Sequence, residues 1–158
     1  MGPAVSRSQL ETDLHHIAVG LEEGARLRRG GHRLSGEGLA GGYFVEPTLF
    51  DDVTVDMKLN TEEVFGPVLP IVTFKEENEA IELANDTKYG LGASVWTKDE
   101  KTAEFFVHGI ESGTVFVNAM VKSDPRLPIG GTKASGYGRE LSSYGIKEFV
   151  NTKAVWVE

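Results

Sequence analysis

The sequence predicts an α/β protein, a parallel sheet with a mixed edge and flanking helices. Three observations carry that prediction. After residue 66, β-branched apolar runs alternate with amphipathic stretches, in the order VLPIVTFK, EENEAIELANDTKYG, LGASVWT, KDEKTAEFFVHGI and GTVFVN. Strands joined through helices cannot be hairpin neighbours, so this β-α-β-α-β order implies parallel pairing with right-handed crossovers. Upstream, YFVEPTLFDDV alternates large apolar side chains around Pro47, which suits an edge strand or a bend. Finally, 158 residues with 40% hydrophobic and 25% charged side chains are enough to bury one core and too apolar for a disordered chain. No repeat, linker or second domain is visible.

From the N-terminus, Ser6 followed three residues later by Gln9 is a capping-box signature. Leu10, Leu14, Ile17, Ala18 and Leu21 then recur at helical spacing, which predicts a helix over 7–23 ended by Gly24. ARLRRGG is a short strand or turn, and SGEGLAGGYF is a glycine-rich surface loop. In the helix after VLPIVTFK, Ala80, Ile81, Leu83 and Ala84 form the inward face. In the next helix Asp99 and Glu100 fall in the first turn, where negative charge suits the helix dipole. AMVKSDPRLPIGGTKASGYG, 119–138, is irregular, and a long irregular loop in a small domain is more often functional than idle. RELSSYGIKEFV reads as helical and NTKAVWVE as one more strand.

Composition removes whole classes of function. A net charge of −8 opposes a polyphosphate backbone, so nucleic acid is not an expected partner. The one basic cluster, RLRRGGHR at 26–33, could touch an anionic surface, but a solvated helix end is the simpler reading. No run approaches the roughly 18 apolar residues of a membrane span, and MGPAVSRSQLE has no apolar signal core, so a cytoplasmic location is expected. The chain has no cysteine, which excludes disulfides, zinc–thiolate sites and thiol nucleophiles. The four histidines, 15, 16, 32 and 108, show no metal-ligand spacing, and no metal is expected.

The candidate chemistry begins with TEEVFGPV, 61–68. Adjacent residues of an extended segment point to opposite faces, so Glu62 and Glu63 cannot share a proton as a catalytic dyad, and at most one faces a site. One reading is a solvated acidic turn. The other is hydroxyl recognition: a single carboxylate can accept two hydrogen bonds from a vicinal diol such as a ribose, and Phe65, on the same face, can pack on a flat ring. GGTKASGYGRE, 130–140, lacks the Gly-Lys-Ser/Thr order of a phosphate loop and follows a proline loop rather than a strand, so a tight structural loop is the better reading. No Gly-x-Gly-x-x-Gly stands between a strand and a helix, and no Gly-x-Ser-x-Gly elbow is present. His15 and His16 read as helix-face residues without a catalytic role.

In order along the chain, TEEVFGPVLPIV, AIELANDTKYGLGASVWT, SGTVFVN, LPIGGTKASGYGRELSSYG and EFVNTKAVWV resemble the carboxyl-terminal part of the aldehyde dehydrogenase superfamily. MGPAVSRSQLE and GGYFVEPTLFDDV fit the same family immediately upstream, so the resemblance covers the whole chain. VKSDPRLPIGG is most similar to the bacterial succinate-semialdehyde dehydrogenase branch. The resemblance implies a partial catalytic domain over 1–149 and an oligomerisation strand over 150–158, with the nucleotide-binding domain, the catalytic thiol and the general-base glutamate lying upstream of residue 1. It implies NAD or NADP as cofactor, with Glu63 on the nicotinamide ribose, Phe65 lining the nicotinamide site and Glu62 as scaffold. Ser123 and Arg126 would face a carboxylated substrate, a planar guanidinium being a good match to a carboxylate. Ile129 departs from the family's Pro-Phe-Gly-Gly and alters the tunnel mouth.

Oxidation in the family passes through a thiohemiacetal, which needs a thiolate. This chain has none, so it is expected to hold no catalytic residue, to bind a dinucleotide weakly by itself and to be inactive alone. A homo-oligomer, or docking on a full-length family subunit, is expected because exposed sheet edges recruit other chains. The alternative is a non-catalytic module that self-associates or docks on a partner.

Overall fold

The computed structural model describes residues 1–36 and 38–158. Where composition predicts one domain, the chain forms two compact units, Met1–Phe74 and Lys75–Glu158.

The first unit carries helix α1 (Arg7–Glu22), strands β1 (Arg26–Arg29) and β2 (Thr48–Asp51), the one-turn helix α2 (Lys58–Thr61) and strand β3 (Val68–Pro70). Ser6 caps α1 as expected, its hydroxyl accepting from the Gln9 backbone amide at 3.1 Å. The reciprocal half of the capping box is not made, because the Gln9 side chain is engaged elsewhere. β2 pairs antiparallel with β1 and parallel with β3. It is therefore the central strand of its sheet, which corrects the expectation of an edge. Pro47 stands one residue before the ladder and removes no hydrogen bond from it; the first ladder amide, Thr48 N, donates to Pro67 O at 2.8 Å. Thr48 and Phe50 point inward, and Phe50 is completely buried. Gly30, at φ +77°, lies where a side chain would strike the Pro47 carbonyl and Thr48, so the turn out of β1 requires glycine.

The core of this unit joins Leu10 and Ile17 of α1 to Ala25, Val45, Phe50, Val53, Leu59 and Val68. The buried face of α1 differs from the apolar count. Ala18 and Leu21 are exposed, whereas Asp13 and His16 are buried beside Leu10 and Ile17. A helix face is selected by what packs on it, and here polar side chains with specific partners replace two apolar ones.

The second unit contains helix α3 (Glu77–Asn85), strand β4 (Ala93–Val95), helix α4 (Glu100–Gly109), strand β5 (Val115–Val117), a 3₁₀ turn at Lys133–Ser135 and helix α5 (Ser142–Lys147). β4 and β5 pair in parallel, as the β-α-β order requires. Two sheets thus replace one parallel run, with β3 paired to β2. Apolar periodicity identifies a strand but not its partner, and β3 satisfies its backbone on β2, where Ile71 N donates to Phe50 O at 2.9 Å. Asp99 is the N-cap of α4 and not a first-turn residue, accepting from Thr102 N at 2.7 Å. Burial is thin. Ala80 and Val95 are the buried large or small apolar side chains of this unit among the described residues, Ile81 and Leu83 are half-buried, and Ala84 is exposed. Residues 151–158 are exposed throughout, and the expected last strand joins no ladder among the described residues.

Candidate functional site

The segment after α2 separates the two glutamates as the extended-chain argument requires. Glu62 has extended backbone, φ −111° and ψ 143°, and its carboxylate lies 3.4 Å from His16 Nε2 of α1. Glu63 is exposed, and its side chain makes no hydrogen bond or ion pair among the described residues. Phe65 is 78% exposed, an unusual position for a phenyl ring, which normally seeks the core. An unpaired carboxylate and an open aromatic face therefore stand two residues apart.

The backbone between them is held from α1. Gln9 Nε2 donates to Phe65 O at 3.1 Å and to Asp13 Oδ1 at 2.8 Å. Asp13 is fully buried, and its Oδ2 has no hydrogen-bond partner among the described residues. Gly66 is pressed on the same carboxylate, so closely that a Cβ at position 66 would overlap it. A pocket of about 380 Å³ beside this contact is lined by Ala4, Gln9, Asp13, Val45, Phe65 and Pro67 among others. Sequence reading missed Gln9 and Asp13 and gave His16 no role. Their spacing of four and three residues on one helix face was the available signal, hidden because a polar stripe ordinarily marks the solvent side.

The second unit holds Ser123 and Arg126, both exposed. The resemblance offers the Arg126 fork to a carboxylate, and within the chain that carboxylate is Asp124. Arg126 Nε lies 2.9 Å from Asp124 Oδ1, Nη2 lies 2.6 Å from Oδ2, and Arg126 N donates to Oδ1 at 2.9 Å. These hydrogen bonds to the charged form hold the Asp124 carboxyl well below the usual carboxylate range. The turn is tied further by Leu127 N donating to Asp124 O and Ser142 N donating to Pro125 O. Ile129 is half-buried and exchanges backbone hydrogen bonds with Glu140.

The glycine-rich stretch that follows is a tight structural loop, in line with its rejection as a phosphate cradle. Several of its amides are already used: Thr132 N donates to Gly90 O, Ala134 N to Lys88 O and Ser135 N to Thr132 O. Gly113, just before β5, lies so close to the Gly130 carbonyl that a side chain at position 113 would overlap it. The basic cluster at 26–33 lies largely on β1, not at a helix end, and is compensated. Arg26 and Arg28 bind Asp51, and Arg29 and His32 approach Glu46 at 3.7 and 3.3 Å.

This arrangement defines an α/β chain with a Glu-Glu-x-Phe-Gly-Pro segment clamped so that its second glutamate and its phenylalanine are free. The model of the aldehyde dehydrogenase family matches residues 1–155, and the chain belongs to that family. It is 45% identical over 157 residues to a succinate-semialdehyde dehydrogenase [NADP(+)] 1 of Mycobacterium ulcerans, covering 99% of this chain and 33% of the relative. A chloroplastic betaine aldehyde dehydrogenase of Amaranthus hypochondriacus is 49% identical over 155 residues, covering 98% and 30%. A crystal structure of a Mycobacterium tuberculosis aldehyde dehydrogenase complexed with NAD+ superposes with a TM-score of 0.89 at 44% identity, covering 94% of this chain and 30% of that one. The chain thus spans about a third of the length of the relatives it matches. No helix of the described residues is long and apolar enough to cross a membrane.

Proposed function

We propose that this chain is the carboxyl-terminal portion of an NAD(P)-dependent aldehyde dehydrogenase that oxidises an aldehyde to a carboxylic acid, with a succinic-semialdehyde-like substrate. In this reading 1–149 is part of the catalytic domain and 150–158 an oligomerisation strand. Glu63 accepts from the nicotinamide ribose hydroxyls and Phe65 packs against the nicotinamide ring. The observation that carries the reading is the pairing of Glu62 with His16, which leaves Glu63 unpaired beside an exposed Phe65. Those groups fit the ribose and ring of the cofactor, which when bound accepts the hydride. They reach nothing of a pyrophosphate or adenine, from which much of a dinucleotide's affinity comes, so binding by the isolated chain is weak. Without a thiolate the isolated chain does not turn over aldehyde.

Ser123 and Arg126 face the carboxylate end of the substrate. Because Asp124 occupies the Arg126 fork, a substrate carboxylate binds there only by exchanging with Asp124. Support for the semialdehyde class comes from the Mycobacterium ulcerans relative at 45% identity, and the betaine aldehyde dehydrogenase of Amaranthus hypochondriacus, at 49%, makes betaine aldehyde the competing substrate.

The test is a nuclear magnetic resonance titration of the labelled chain with NAD+ and NADP+ at millimolar concentration. The expected result is shift changes confined to 62–66, diminished in Glu63→Gln. An unchanged spectrum would sink the cofactor reading, and aldehyde-dependent NADH formation by the purified chain would sink its inactivity. A second reading, a non-catalytic module that self-associates or docks on a full-length family subunit, is favoured by the exposure of Phe149 (91%) and Trp156 (88%) in the tail.

A further inference from the structure

We infer that Asp13, acting through Gln9, and His16 are positioning residues that set the conformation of the 62–66 segment, and so the aim of Glu63 and Phe65. The inference rests on the cofactor reading proposed above and assigns the side chains that would make it work. Residues 9, 13 and 16 fall four and three apart and so share one face of α1, the face turned to this segment. A glutamine amide has two N–H donors. Gln9 commits its nitrogen to two acceptors, Asp13 Oδ1 at 2.8 Å and Phe65 O at 3.1 Å, and is thereby a bridge from helix to segment.

Asp13 anchors the bridge. It is completely buried, so its carboxylate cannot be serving solvent, and burying an ionisable side chain is costly enough to need a specific partner. An apolar residue at 13 would fill the same space and leave the Gln9 amide free to rotate. Asp13 also touches Gly66, which has no side chain to push it aside. The carboxylate thus meets the segment twice, once directly at Gly66 and once through Gln9 at Phe65.

His16 fixes the other end. Its Nδ1 lies 2.9 Å from Thr12 O, a carbonyl that can only accept, so Nδ1 carries a hydrogen and the ring plane is set. Nε2 then faces Glu62 at 3.4 Å, an ion pair whenever the ring is protonated. When that pair is made, Glu62 is held to α1 and the alternation of an extended chain turns Glu63 the opposite way. Holding 62 at its side chain and 65 at its carbonyl leaves the two intervening residues little freedom, and Glu63 is one of them.

The test uses the full 158-residue chain, labelled with ¹⁵N, and compares the parent with Asp13→Leu, Asp13→Asn and Gln9→Leu. In the parent the Gln9 side-chain amide gives two separated, exchange-protected proton signals. Asp13→Leu removes that protection and shifts the Phe65 and Gly66 amides, with roughly five- to tenfold faster exchange at Gly66, the size expected from losing about one net hydrogen bond. Asp13→Asn keeps an acceptor for Gln9 and restores the parent spectrum, which a purely volumetric role would not require. Should Asp13→Leu unfold α1, Gln9→Leu decides, because Gln9 is only half-buried: it should move the 63–66 signals while helix content stays unchanged. Unchanged 63–66 signals in a folded Gln9→Leu chain would overturn the inference. Adding NAD+ to each sample separates the two ideas. A segment that responds to residue 13 but never to NAD+ leaves the positioning intact and removes the cofactor reading, whereas one that responds to NAD+ equally in parent and Asp13→Leu does the reverse.

Discussion

Gly66 illustrates how a single missing methyl group holds a site together. The Asp13 carboxylate fills the space a Cβ would take, so Gly66→Ala must displace the segment, the helix or the carboxylate. Overpacking of this kind costs about 1–3 kcal/mol. We expect urea unfolding to register that loss, and Asp13→Ala in the same chain to recover part of it, since the two residues share one space. Additive losses would show that they do not. Asp124 makes a different residue-scale prediction. Its folded pKa is depressed by Arg126, so its contribution to loop order is present above the ordinary carboxylate range and is lost only as pH falls through the depressed value. Arg126→Gln should return the Asp124 carboxyl to ordinary titration, read from its ¹³C shift. An ordinary titration already in the parent would mean that the clip is not formed in solution. The diol-and-ring reading of Glu63 and Phe65 was accessible from the residues alone, because alternation along an extended chain is a property of the backbone. The occupant of the Arg126 fork was not, because a guanidinium's partner depends on how the loop bends.

At the scale of elements, α1 was largely legible. Its cap, its start and its length follow from local rules, and the observed Arg7–Glu22 lies within the expected 7–23. Removing the cap by Ser6→Ala should lower stability by about 1 kcal/mol, measurable by denaturant titration; no change would mean that solvent caps the helix equally well. Which face α1 buries was not legible, since Asp13 and His16 are drawn inward by partners some fifty residues away in the chain. β2 teaches the same lesson from the other side. Pro47 reads as an edge signal until its position just outside the ladder is known, and the strand it precedes carries the fully buried Phe50. Phe50→Ala should cost about 3–5 kcal/mol, a large part of a small domain's total stability, and its thermal unfolding should lose cooperativity in the first unit.

For the whole molecule, the balance of burial points outward. The second unit buries few apolar side chains, while Trp96, Met120, Tyr144, Ile146, Phe149, Val155, Trp156 and Val157 are open to solvent. Exposed apolar surface on this scale marks an interaction face more often than a finished exterior. We expect light scattering of the purified chain to report assemblies larger than one chain, and removal of 150–158 to reduce their size. A concentration-independent monomer would count against both this and the tail's assignment as an oligomerisation strand.

By itself the sequence determined the α/β class, the approximate bounds of most elements and the family, and it singled out Glu63 and Phe65 as the candidate side chains for a ribose and a flat ring. Each of these depends on local periodicity, on capping chemistry or on motifs read in order. Only the tertiary structure decided that β2 is central, that the strands form two sheets, that Arg126 is already bound to Asp124, and that α1 clamps 62–66 through Gln9, Asp13 and His16. These are contacts between residues distant in the chain, where packing and the satisfaction of buried polar groups choose among partners that local pattern leaves equivalent.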